Sequence, residues 1–161
     1  MTADKLLSLF RQSLTERLTL ETPLDALLTA TSARAAGLWR VRDDRLVQVG
    51  FRSVPDMPLE VQTGFAAATA WVPLSHPELG IVKAVTSRQP AIATLDPQHT
   101  GLTGSASWLA RFRAVQSAAF PIFDAQQAVT GVLAISTPSP IEPDDATWRL
   151  MVALAARMEL H

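Results

Sequence analysis

Apolar residues recur every three or four positions at the start of the chain: Leu6, Leu7, Phe10, Leu14 and Leu18. That period places them on one stripe and predicts a helix over residues 3–20. A second run, Leu24, Leu27 and Leu28, follows Thr22-Pro23, which suit a cap and a first helical position, and Asp25 suits the positive helix end. This helix runs toward Arg34, with Gly37 as its expected stop. The period then drops to two. Leu38, Arg40 and Arg42 alternate with Trp39 and Val41, residues 46–51 alternate again, and Asp43-Asp44 lie between, which is the pattern of a β-hairpin. Residues 53–75 carry prolines and small residues around Phe65, Trp71 and Val72 without a clear period, and read as a long binding loop.

Ser75-His76-Pro77-Glu78 has the spacing of a capping box, predicting a helix from there to Ser87 that turns Leu79, Ile81, Val82 and Val85 inward. Residues 90–95 read as a short strand, 96–113 as a loop ending in a helical turn over 107–112, and 114–123 and 128–136 as two strands. Pro121 has no N–H to give a ladder, so it belongs at an edge or a bulge. Ser139 and Glu142 repeat the capping spacing before a last helix, whose Trp148, Met151, Val152, Ala155 and Met158 form one face while Leu150, Ala153 and Leu154 cover much of the other. A helix apolar nearly all round is covered on more than one side, by the sheet and then by the first helix or a second subunit. An antiparallel sheet with helices packed on it is an α+β architecture.

Composition changes the picture at a few points. The 161 residues suit a single domain over 1–161, and 48% apolar with 18% charged residues excludes a disordered chain. A net charge of −1 argues against a protein built to grip nucleic acid. Of the 14 basic residues only Lys5 and Lys83 are lysines; the arginines are scattered along the sequence and mark no site by themselves. No segment has the pattern of a secretory signal or the length of a membrane span, so the expected compartment is the cytoplasm. With no cysteine, disulfides, thiolate metal sites and thiol chemistry are excluded.

From about residue 20 to 160 the chain resembles the GAF domain family. The resemblance rests on residues 80–95, with Thr86, Pro90 and the strand after it, on Val115-Gln-Ser-Ala-Ala-Phe-Pro-Ile-Phe-Asp124, on Val129-Thr-Gly-Val-Leu-Ala-Ile135, and on the acidic start of the last helix, Glu142-Pro-Asp-Asp145. Ala125-Gln-Gln127 stands where the family usually has a glycine in the last hairpin turn. The resemblance implies a sheet of about five to six strands with the N- and C-terminal helices on one face, a sensory pocket between the sheet and its connecting loops, and a homodimer through the terminal helices. It also implies branches that this chain lacks the residues for. Free methionine sulfoxide reduction and covalent bilin attachment run on cysteine, and the cyclic-nucleotide signature begins with an asparagine, of which there is none.

The remaining chemistry is sparse. Ser75 and His76 are neighbours without a nucleophile elbow, so the helix cap explains Ser75 better than a hydrolase does. His76, His99 and His161 match no metal spacing; a single axial ligand to haem, His76 or His99, is weaker than a loop histidine in water. Gly101-Leu-Thr-Gly-Ser105 lacks the lysine of a phosphate loop. Arg111 and Arg113, with His99 and Thr100, either clamp an anion or stand solvated at a helix end. Trp71 and Trp108 either wall a pocket or lid a core, and Ser117, in the strand expected over 114–123, is a further candidate ligand-binding residue. Trp39 and Trp148 read as core or dimer contacts. Two functions follow: a noncatalytic sensor for an unidentified small molecule held between the 53–75 and 96–113 segments, or a ligand-free scaffold for dimerisation or a protein partner.

Overall fold

The alternation on either side of Asp43-Asp44 builds the hairpin from which the sheet grows. Strands β1 (Ala35–Arg42) and β2 (Arg45–Ser53) pair antiparallel from Ala35↔Ser53 to Arg42↔Arg45, with a bulge between Leu38 and Trp39. Asp43 turns the chain at a φ of 56°, a left-handed conformation that Asp adopts more readily than most residues. The structure, a computed structural model, describes residues 1–160, apart from the side chains of Pro97 and His99. With β3 (Trp71–Pro73), β4 (Ala91–Thr94), β5 (Gln116–Phe123) and β6 (Val129–Thr137) the sheet has six strands in the order β3-β2-β1-β6-β5-β4, every neighbour antiparallel. Among the described residues the helices are α1 (Ala3–Thr15), α2 (Glu21–Thr31), α3 (Leu59–Ala68), α4 (Gly80–Ser87), α5 (Pro97–Thr100), α6 (Thr103–Phe112) and α7 (Ala146–Arg157).

The sheet divides these helices. On one face α1, α2 and α7 bury Leu6, Phe10, Leu24, Leu27, Met151 and Leu154 against Leu38, Phe120 and Leu133, each nearly inaccessible to water. Burying each such side chain contributes about 1.5–3 kcal/mol. Arg52 clamps α2 to β2 through paired bonds to Asp25 at 2.9 and 3.0 Å, and that hydrogen bonding holds its pKa above the usual guanidinium value. On the other face α4 packs Val82 and Val85 against Trp39, Ala119 and Val132. There α6 packs Leu109 and Phe112 with Ala35 and Ala93. Among the described residues no helix is long and apolar enough to cross a membrane.

Several expected boundaries move, each for a local reason. Helix α1 stops at Thr15 rather than 20, because left-handed Arg17 folds the chain back and the Leu18 N–H donates to the Ser13 carbonyl; Leu18 is left 54% exposed. Helix α2 starts at Glu21 with Leu20 as its cap, and ends at Thr31 with Ser32 left-handed, so neither Thr22 nor Gly37 is a terminus. The loop over 53–75 contains α3 and β3; α3 has no buried residue, and so left no apolar stripe to read. Helix α4 starts at Gly80 and not at the Ser75 box: the Gly80 N–H donates to Ser105 Oγ at 2.8 Å and the Glu78 carbonyl accepts from Ser105 N–H. Helix α7 starts at Ala146, capped by Asp145 Oδ1 on the Trp148 N–H at 2.8 Å, while Oδ2 takes the Glu142 N–H at 3.0 Å. It is not buried all round, since Val152 is 43% exposed. Its second contact is α1 of the same chain, joined by Arg157 to Asp4 at 2.6 Å and by Arg11 to the Arg157 carbonyl at 3.3 Å. Pro121 lies beyond the last β4 pair, Ala91↔Ala119, and beside the bulge at Ile122/Phe123.

Candidate functional site

On the face away from α1 and α7, two rows of small side chains cross four strands. The registers align Ala35, Ser136, Ser117 and Ala93 in one row and Gly37, Ala134, Ala119 and Ala91 in the next. Side chains this short leave depth above the sheet. Beside them the Trp39 indole lies flat over Gly37, where a Cβ would fall 2.5 Å from the ring, and its Nε1–H donates to the Thr69 carbonyl at 2.9 Å.

Aromatic rings close the space from above. Phe65 of α3 is the hub: its ring centroid lies 4.7 Å from Phe51, 5.0 Å from Phe112, 5.1 Å from Trp108 and 6.2 Å from Trp39. Edge-to-face pairs of this kind add about 0.5–1.5 kcal/mol each beyond the area they bury. Between floor and rings is a cavity of about 50 Å³, the space that a water's centre can occupy, bordered also by Leu79, Gly80, Ile81 and Ser105. That is room for roughly three to five waters.

The polar groups converge at one end. Ser105 Oγ, already accepting from Gly80 N–H, and Ser117 Oγ lie 3.6 and 4.0 Å from where a Cβ on Gly80 would sit. Ser136 pairs with Ser117 across the strands and is 91% buried by its 9% exposure. The N-cap residue Leu79 offers no side-chain cap to α4; Ser105 Oγ takes the Gly80 N–H instead, and the partly positive first turn, Gly80 and Ile81, borders the cavity beside these hydroxyls. No titratable side chain lines it among the described residues. The site therefore offers an apolar, aromatic-walled slot with neutral donors at one end, and no acid, base or charge-activated nucleophile.

The overall fold is shared with solved structures. The GAF domain of the Acinetobacter phosphoenolpyruvate-protein phosphotransferase superposes with a TM-score of 0.60 over 96% of this chain and 89% of its own, at 14% identity. The phycoerythrobilin-bound GAF domain of a cyanobacterial phytochrome gives 0.62 over 96% and 90%, at 11% identity. This chain has the GAF-domain fold. The free methionine-R-sulfoxide reductase of Neisseria meningitidis, in complex with its substrate, matches that fold too, at a TM-score of 0.62 over 96% and 84% with 15% identity. No family model matches the sequence, and no curated protein sequence does.

Within this GAF fold the residues singled out from the sequence part company. Trp108 and Ser117 line the cavity. Arg111 stands outside it, its guanidinium 4.5 Å from the Trp108 ring centroid. Arg113 is the exposed left-handed cap of α6, and does not join Arg111 in a clamp around the cavity. Thr100 closes α5 and accepts the Leu102 N–H at 3.2 Å. Trp71 lies on the edge strand, 57% exposed with Arg45 over its ring, and does not line the cavity as expected of it. His76 is exposed, with Nδ1 3.7 Å from Glu78 Oε1. The His99 side chain and His161 lie outside the described residues. Among those described, no cluster of three potential metal-binding side chains occurs. The sequence reading missed Phe51, Phe65, Phe112, Ser105 and Ser136, and placed Trp39 in the core without its place at the site. The signal was the period-two recurrence of small residues, 35/37, 117/119 and 134/136, which reads as sheet until the register joins the three.

Proposed function

We propose that this GAF fold is a noncatalytic regulatory module that holds a small molecule noncovalently in the cavity between the small-residue floor and the α3 and α6 aromatics. One observation carries the reading: an aromatic slot whose hydroxyls and helix start converge at one end, with no titratable side chain along it among the described residues. Such a slot selects a compact apolar body with a polar or anionic end. The cysteine-free sequence removes the thiol reductase and covalent-chromophore branches raised by the resemblance.

The test is thermal shift with carboxylates, amino acids and nucleotides, alongside mass analysis of anything released on denaturation. A ligand that binds the native state alone raises the midpoint. Trp108→Ala is expected to abolish the response, while Trp71→Ala, outside the cavity, keeps it. A response unchanged in Trp108→Ala removes the pocket from the account.

The second reading is a ligand-free scaffold, and the cavity of only about 50 Å³ favours it. It calls for a homodimer or a protein partner at the terminal helices, where Val152 is exposed. Light scattering decides between copies: a monomer at tens of micromolar rules out the dimer.

A further inference from the structure

The arginines that look scattered in the sequence gather in space at the far end of the other sheet face. Arg40 and Arg42 leave β1 on the side of α1, and Arg11 and Arg17 border the same groove, an open cleft of about 780 Å³ whose floor includes Leu14 and Val49. Among the described residues Glu159 is the one carboxylate along it. Three guanidiniums elsewhere in the fold sit on carboxylates: Arg52 on Asp25, Arg34 on Asp56, Arg157 on Asp4.

Arg40 differs from these three. Its Nε is buried and has no hydrogen-bond acceptor, and no ion pair forms to it among the described residues. Burial first, and then the charge of Arg42, lower its pKa, the signature of a cation held without a counter-charge. A structural arginine in this place would have a partner, because leaving a guanidinium donor desolvated and unpaired costs stability.

We propose that this groove is a binding site for a phosphate-bearing small molecule with more than one anionic group, separate from the aromatic cavity on the opposite face. Planar forks suit phosphate oxygens two at a time, and Arg40 supplies a partly buried fork while Arg17 supplies exposed charge. The site stands whether or not the aromatic cavity holds a ligand.

Pyrophosphate is the probe, followed by calorimetry and thermal shift in low-salt, phosphate-free buffer. Wild type is expected to bind one equivalent, with affinity falling steeply as salt is raised. Arg40→Met removes the unpaired charge: its own midpoint rises, while its affinity for pyrophosphate falls tenfold or more. Arg17→Ala changes an exposed side chain, folds as the wild type does, and weakens binding several-fold. Trp108→Ala on the other face leaves pyrophosphate binding unchanged. Absence of binding to wild type, binding unaltered in both arginine variants, or a response only to an acidic peptide overturns the proposal.

Discussion

Gly37 shows how one missing methyl group sets the site. A Cβ there would sit 2.5 and 2.6 Å from two carbons of the Trp39 ring, too close for either to stay. Moving the indole also breaks its 2.9 Å bond to the Thr69 carbonyl, which ties β1 to the end of α3. Gly37→Ala is therefore expected to lower unfolding free energy by about 1–3 kcal/mol, the usual range for overpacking, as measured by urea denaturation. Gly64 is the opposite case. It lies within α3, and a Cβ there would only touch the Trp108 ring at 3.6 Å. Gly64→Ala is expected to raise stability by about 0.5–1 kcal/mol through helix propensity alone. Equal losses from both substitutions would mean that the ring contact at Gly37 does not control the packing.

Elements are decided partly by local pattern and partly by contacts far along the chain, and the two kinds were not equally legible. The hairpins were plain because their alternation is the sheet's own period; β1, β2, β5 and β6 all fall where it predicts. Helix α3 left no trace because it buries no residue, so no stripe exists to find. Both capping boxes misled for one reason: a Ser-x-x-Glu spacing is only local. At α4 the capping oxygen comes from Ser105, 25 residues away, and at α7 the cap is Asp145, with the Thr137 hydroxyl spending the Ser139 carbonyl at 2.7 Å. The cavity was half legible: Trp108 and Ser117 were visible as types, but their convergence with Phe65 and Ser136 depends on strand register. Asp145→Ala tests the cap directly. Losing the bonds to Trp148 N–H and Glu142 N–H should cost about 1 kcal/mol. Ser139→Ala should cost far less, since it is the backbone carbonyl of Ser139 that is used.

Across the whole molecule the two faces of the sheet are built to different tolerances, and this bears on access to the cavity. The face covered by α1, α2 and α7 buries a continuous set of large side chains from α1, α2, α7, β1, β5 and β6, among them Leu6, Phe10, Leu24, Leu38, Phe120 and Leu154. The roof of the opposite face rests on α3, which has no buried residue and is held to its neighbours chiefly by the half-buried Phe65 ring. Local opening follows the density of buried contacts, so α3 should open at a free energy well below that of global unfolding. Native-state hydrogen exchange should find α3 amides exchanging first, with those of β1, β6 and α7 near the global limit. A ligand that enters under α3 must close it again, and bound cavity ligand should slow exchange in α3 and α6 while leaving α1 unchanged. Pyrophosphate should do the reverse, slowing the end of α1 and sparing α3. Protection of α3 as strong as that of β6 in the free protein would make the roof rigid, which leaves no route into a cavity this small and decides for the scaffold.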